Sequence, residues 1–352
     1  MFRRRGIGRF LNFFAAIVVV YPMIRRTAWR GYRVVLFVRN DPVLLLAARV
    51  LRRYVDRLVF QSSFPHEEVA GASLKGRVAR LLYRMSAGGV DGLLAVSPLG
   101  LTRLERLFPG AERGEYIPLL ADALNTPPVT EYTRERNAAS PVRFIYAGTH
   151  SPARQLETVV AAAVGAYGSG ACARFTFVGG SQAEIERLRS VDGAEALEAE
   201  GVLVFQPSVS RPEVRKWLAD ADVGLSVVPP LQENREMSPT KLAEYLGAGL
   251  AVLASRGIPL QEQFIKDSGA GMLVDFSVPA LQEAMLSMSR MTADELEALR
   301  QKAYDYATGH LVYSEYLPRF RQLIDQVCGN GDCSETLRQN PPADAVPKTD
   351  DP

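Results

Sequence analysis

Short apolar runs alternate with segments of helical period along most of this chain, and few architectures accept that pattern. Parallel strands need a helical crossover between them, and their burial under helices makes them short and apolar rather than alternating. The pattern therefore predicts an α/β protein built from βαβ units. Candidate strands in the first half are Arg33–Val38, Arg57–Gln61 and Gly92–Val96. In the second half they are Val142–Ala147, Arg174–Val178, Val202–Phe205, Val223–Val228 and Ala251–Leu253.

At 352 residues the chain exceeds what one core ordinarily fills, so two domains are expected. Its 47% hydrophobic and 23% charged residues suit a globular protein. Residues 125–141 are polar, hold two prolines before Ser140 and show no apolar period, which marks a linker between a first domain at 1–124 and a second beginning at 142. Residues 329–352 have little to bury and read as a disordered tail. Cys172, Cys328, Cys333 and three widely spaced histidines form neither a disulfide framework nor a metal site, so no metal is expected.

The net charge is only +2, yet residues 1–53 carry twelve arginines and a single acid, Asp41. That asymmetry concerns partners rather than fold. The apolar run Phe10–Ile24 is broken by Pro22 and falls short of the ~20 residues a spanning helix needs. No small-x-small cleavage pattern follows it before Arg25 and Arg26, so the segment reads as an uncleaved basic, apolar helix.

A strand running into Ser-Pro and then a helix recurs at Ser97-Pro98, Ser151-Pro152 and Ser238-Pro239. Serine can cap orphan N–H groups and proline suits the first helical position, so each is expected to start a helix. In a parallel sheet such starts lie at the carboxyl ends of strands, where their amides favour anions such as a diphosphate. For Ser97-Pro98 the expectation is a helix start and nothing more.

The most informative segment runs from Glu236 to Ser255. Glu236 and Glu244 lie eight residues apart across a helix start, with Ser238, Pro239, Thr240 and Lys241 between them. Lys241 and Glu244 fall on neighbouring positions of one helix face. Amides and dipole there suit phosphates, and a carboxylate on each side suits hydroxyls. A merely solvated surface helix is the bland alternative.

This segment resembles the E-x7-E motif of glycosyltransferase family 4, particularly its P-x-K-x-x-E-Y-x-x-x-G version. The resemblance implies two facing Rossmann-like domains of GT-B type and retaining transfer from a nucleotide sugar. It implies that Glu236 contacts the donor sugar, that Glu244 binds the ribose, and that Lys241 lies near the phosphates with backbone groups around Ser238 and Thr240. The segment Gly148, Thr149, His150, Ser151, Pro152, Ala153, Arg154 looks like the family's phosphate loop, with Arg154 at the lysine position and neutral Thr149 where arginine is frequent. His150 or Lys241 would compensate for that missing charge. Gly179 and Gly180 are similar to the family's V-G-G turn near the base. In the first domain His66, after the strand Arg57–Gln61, matches the histidine that faces the donor sugar in the family, and a structural histidine is the equal alternative. Ile117 to Asp122 resembles a landmark segment before the linker, and residues 311–328 the closing helix that crosses back after a second domain of 142–310. Thr292 to Glu295 reads as a capping box.

Family members usually begin with a strand and a Gly-rich loop, whereas this chain begins with basic residues and an apolar helix, so its first domain reads as short at the N-terminus. Arginines flanking Phe10, Phe13, Phe14 and Ile17 would hold that helix at an anionic membrane surface, each basic residue contributing about 1 kcal/mol. Packing against the first-domain sheet is a compatible alternative. The expected function is retaining transfer of a sugar from a UDP- or GDP-sugar to a cell-envelope or lipid-linked glycan acceptor. No cofactor, metal or nucleic acid is expected, and the place of work is the cytoplasm or the inner face of its membrane. The competing reading is a donor-binding but inactive membrane-associated partner or scaffold; an epimerase of the same fold fits the linear motif less well.

Overall fold

The computed structural model describes residues 7–71, 73–120 and 140–329, and of residues 7–12 and 66 only the backbone. The chain divides into two compact units, one comprising the residues up to Ile117 and those from Tyr316 onward, the other Pro118–Glu315. Most of the linker of 125–141, and the tail after 329, lie outside the described residues.

The first unit contains α1 (Ile7–Trp29), β1 (Val35–Arg39), α2 (Pro42–Val50), β2 (Arg57–Ser62), α3 (His66–Val69), α4 (Leu74–Ser86), β3 (Gly92–Ala95), α5 (Pro98–Leu107) and β4 (Arg113–Tyr116). Its strands form a parallel sheet in the order β1-β2-β3-β4. Alternate strand residues point to opposite faces. Leu58, Phe60, Leu93 and Ala95 meet Leu45 and Ala48 of α2, Tyr83 of α4 and Leu104 of α5. Consecutive right-handed crossovers put all these helices on one side. β4 was not foreseen, because an edge strand paired on one side needs no apolar run and Arg113–Tyr116 has none.

α1 packs one face on this unit. Ile17, Val20, Tyr21 and Ile24 recur at helical spacing and meet Val34, Leu36, Leu51, Tyr54 and Val55. The remaining surface leaves Phe14, Val18 and Met23 63%, 70% and 64% exposed. The packing alternative is therefore met while an apolar face stays uncovered. Among the described residues no helix is long and apolar enough to cross a membrane.

The second unit contains β5 (Val142–Ala147), α6 (Leu156–Gly168), β6 (Ala173–Val178), α7 (Gln182–Arg189), α8 (Ala194–Ala199), β7 (Leu203–Gln206), α9 (Arg211–Ala219), β8 (Val223–Ser226), α10 (Thr240–Gly247), β9 (Ala251–Ser255), α11 (Pro259–Ser268), β10 (Gly271–Val274), α12 (Val278–Ser289) and α13 (Ala293–His310). Its sheet is parallel, in the order β10-β9-β8-β5-β6-β7. Phe144, Phe175, Phe177 and Leu253 face a core shared with α6 and α12. Ile145, Ala147, Val252 and Ala254 face one shared with α10, α11 and α13. The unforeseen β10 is again an edge strand, and all four of its residues are partly exposed. The expected capping box opens α13, where Thr292 Oγ1 accepts from the Glu295 N–H at 3.2 Å and the Glu295 carboxylate accepts from the Thr292 N–H at 2.8 Å.

A last helix, α14 (Tyr313–Cys328), completes the first unit. Its Leu323 and Val327 cover Val59 and Leu94 on the second face of that sheet, and Phe320 stacks on Phe37 at 5.8 Å. Arg33 donates to the Cys328 carbonyl at 3.1 Å and Arg57 donates to the Val327 carbonyl. Cations thus satisfy the orphan carbonyls at the end of the helix.

Within the first unit Glu67 of α3 pairs with Arg103 of α5, which also donates to Ser62 Oγ at 3.0 Å. Both side chains are more than nine-tenths buried. Removing one partner leaves the other charge in a poor solvent, so Glu67→Ala should destabilise the chain by about 3–5 kcal/mol. Urea unfolding followed by circular dichroism measures this; a loss below 1 kcal/mol would contradict the burial argument.

Candidate functional site

In the second unit the chain runs from β5 outward to β6 and β7, then returns to the other side of β5 with β8. Neighbouring crossovers diverge at β5 and β8, and such switch points open a crevice at the carboxyl ends of the strands. The segment after β5 holds Gly148, Thr149, His150 and Arg154; the segment after β8 holds Glu236, Ser238 and the start of α10. Two motifs nearly a hundred residues apart thus end on one crevice.

Gly148 is where they touch. A side chain there would coincide with Cε and Nζ of Lys241, so the lysine lies directly on the glycine backbone. The next strand makes a similar approach. Gly179, at φ 123°, has no room for a Cβ beside the Gly148 carbonyl, and the Gly148 N–H donates to the Val178 carbonyl at 2.7 Å. Gly180, at φ 84°, packs on the His150 ring. Glycine is needed at both positions for conformation as well as space.

Lys241 is half-buried, with its ammonium 5.8 Å from the Tyr146 ring centre. Burial lowers its proton affinity; Glu244 opposes that shift and Arg154 adds to it. Lys241, Arg154 and Glu244 have no side-chain hydrogen bond or ion pair among the described residues. Two cations near one another, neither in an ion pair among the described residues, suit an anion.

The Ser-Pro junctions divide three ways. Ser97 behaves as expected, its Oγ accepting from the Gly100 N–H at 3.1 Å with Pro98 in the first turn of α5. Ser238 does not cap α10. Pro239 occupies the cap position, which sets Ser238 one residue too far back, and its buried Oγ instead accepts from the Leu119 N–H at 2.8 Å. Ser151-Pro152 opens only a 3-10 turn, Pro152–Arg154; Gln155 then takes a left-handed conformation (φ 48°) before α6 starts at Leu156. Neither α6 nor α10 has a side-chain cap, and the first turn of α10 carries no acid. Its free N–H groups sit beside Lys241, where they favour an anion.

His150 is fully buried and neither ring nitrogen reaches a hydrogen-bond partner. Burial, with help from Arg187 and Lys241 and against Glu184, pushes its pKa down to about 4. It is a neutral wedge between Tyr146 and Gly180 and does not supply the positive charge that Thr149 lacks. Thr149 is exposed, and its carbonyl accepts from the Tyr146 hydroxyl at 3.1 Å. Glu236 is half-buried in the turn before α10, and Thr240 is exposed as the first residue of that helix. His66 begins α3 after β2 in the first unit, and its side chain lies outside the described residues.

Two supporting residues were given no role by the sequence. Tyr245 is fully buried, and its hydroxyl accepts from the Ala147 N–H at 2.9 Å, tying α10 to the end of β5. Its ring fills the space over Gly224. A tyrosine directly after Glu244, on the apolar side of a helix, was the available signal. Arg187 of α7 donates to the His150 carbonyl and pairs with Glu157, and nothing local in the sequence marks it.

Two tests follow from this packing. Gly148→Ala, at φ 159°, meets only the flexible end of Lys241 and should lower anion affinity with a small loss of melting temperature; Gly179→Ala, at φ 123°, meets backbone and should lower the melting temperature by several degrees more. Calorimetry with and without a nucleoside diphosphate separates the two. His150 has a folded pKa below its unfolded 6.5, so its neutral form favours folding above that value and the contribution disappears as pH falls toward 4. The melting temperature should drop over that window in the native chain and drop less in His150→Phe; parallel pH profiles would contradict the neutral wedge.

Residues 138–290 match the sequence model of the family Glycosyl transferases group 1. No curated protein sequence matches the chain. Among solved structures the fold is similar to that of sucrose-phosphate synthase from Thermosynechococcus elongatus, at 18% identity and a TM-score of 0.67 over 90% of this chain and 78% of that one. It is similar to Anabaena HepE in complex with UDP and glucose, at 15% identity and a TM-score of 0.64 over 88% and 83% of the two chains. It is also similar to WaaG, a glycosyltransferase involved in lipopolysaccharide biosynthesis, at 16% identity and a TM-score of 0.56 over 94% and 98%. Identities this low speak for the fold alone, that of glycosyltransferases with two Rossmann-like domains. Residues 138–290 thus carry a glycosyl transferases group 1 domain, which supports a transferase activity.

Proposed function

We propose that the chain transfers a sugar, with retention, from a UDP- or GDP-sugar to a cell-envelope or lipid-linked glycan acceptor at the inner face of the cytoplasmic membrane. The observation that carries this reading is the Lys241 ammonium on Gly148, in no ion pair among the described residues, with Arg154 near it and the uncapped start of α10 beside it. As the bond from the anomeric carbon to the phosphate oxygen breaks, negative charge grows on the diphosphate. Fixed cations and amides that need no reorganisation stabilise that charge best. Glu236, in the turn before α10, is assigned to the sugar hydroxyls, and Glu244, a turn further along the helix, to the ribose. Gly179 and Gly180 let the base approach backbone. His66 is assigned to the sugar on the resemblance alone.

The UDP and glucose held by HepE support a nucleotide-sugar donor, and the role of WaaG in lipopolysaccharide biosynthesis supports an envelope acceptor. The exposed apolar side of α1, ending in Arg25 and Arg26, supports work at an anionic surface. Neutral Thr149 favours a second reading, a partner that binds donor without turnover.

A panel of radiolabelled UDP- and GDP-sugars, with membrane extract as acceptor source, separates the readings. One donor should be turned over. Lys241→Ala should lower kcat roughly 100-fold or more, and Glu236→Ala should cost roughly 10- to 100-fold, the worth of a hydrogen bond to a charged group. Saturable donor binding without turnover would leave the scaffold reading.

A further inference from the structure

The first unit carries a second amphipathic helix whose outer apolar face is uncovered. Along α4, Leu74, Val78, Leu81 and Met85 recur at intervals of four, three and four residues, the spacing of one helix face. They are 76%, 39%, 55% and 57% exposed. The core-facing side is a different one, made by Gly76, Ala79, Tyr83 and Ser86, with Tyr83 packed on Phe60 and Phe108. The exposed stripe is therefore not needed for the core.

Its surroundings state what would cover it. Residues 74–86 include Lys75, Arg77, Arg80 and Arg84 and no acid. Arg80 donates to the Glu67 carbonyl at 3.0 Å, while Lys75, Arg77 and Arg84 are exposed. α4 packs beside α2, and α2 beside α1, so the two helices with uncovered apolar sides belong to one layer. α2 adds exposed Val50 and Arg49 to that layer. A surface of anionic lipid supplies hydrocarbon for the stripe and negative headgroups for its flanks together. At 13 residues α4 is too short to cross a bilayer.

We infer that α4 is a second membrane-docking element, lying in the headgroup plane of an anionic bilayer with Leu74, Val78, Leu81 and Met85 inserted and Lys75, Arg77 and Arg84 among the lipid phosphates. This rests on the proposed membrane reading of α1 and extends it. One helix leaves the protein free to roll about the helix axis; a second in the same layer restricts that rolling and sets which side of the first unit meets lipid.

The test is co-sedimentation of the full chain with phosphatidylcholine vesicles, with and without phosphatidylglycerol. The native chain should sediment with the anionic vesicles, less so in high salt. Leu81→Glu combined with Met85→Glu should weaken that binding about tenfold or more without shifting the melting temperature, since both side chains are exposed. Should that variant melt early, Arg77→Gln combined with Arg84→Gln reads the same surface through charge, with about fivefold lost per residue. Unchanged vesicle binding by these variants, while Phe14→Glu with Val18→Glu abolishes it, overturns the role of α4 and leaves α1 as the anchor. Absence of vesicle binding by the native chain overturns both. A native dimer that the α4 variant converts to monomer, with vesicle binding intact, assigns the stripe to a second copy and overturns the proposal. Donor turnover in detergent is independent of every one of these outcomes.

Discussion

A lysine ammonium resting on the backbone of a glycine is the contact around which the second unit's crevice is arranged. It requires that Gly148 have no side chain, that β5 end level with the start of α10, and that Gly179 let the neighbouring strand close in. The Tyr245 hydroxyl holds the first two in register by accepting from the Ala147 N–H. Burial lowers the proton affinity of Lys241. An anion bound there would offset that cost.

The same economy explains the helix ends. Ser238 does not cap α10, because its hydroxyl accepts from the Leu119 N–H, and the first amides of that helix are left without a side-chain partner. His150 fills space without charge, which keeps the positive potential on Lys241 and Arg154. The first unit solves a different problem. Its sheet needs helices on one side and α14 on the other, and satisfying that core still leaves apolar surface on α1 and α4.

Much of the fold was legible because apolar runs in a doubly covered sheet have few alternatives. Eight strands stand at the segments read as strands, within two residues at most ends. β4 and β10 escaped because edge strands are exempt from two-sided burial, so Arg113–Tyr116 carries no apolar signal. Glu236, Lys241 and Glu244 were legible as spacing within one short segment. Arg187 was not, because its contact with the His150 carbonyl joins elements that only the folded chain makes neighbours.

By itself the sequence determined the α/β class, the motif at 236–244, the basic apolar helix and the capping box at Thr292, all of which depend on residues close in sequence. Tertiary structure decided that the glycine after β5 and the lysine of α10 meet, because strand order, not spacing, makes β5 and β8 neighbours. It also decided that Ser238 is no cap and that His150 is neutral, since a hydroxyl's partner and an imidazole's charge are set by what packs around them. The exposed stripe of α4 belongs with these: its periodicity is local, but only the packing of Tyr83 shows which of its two apolar faces is left for something else.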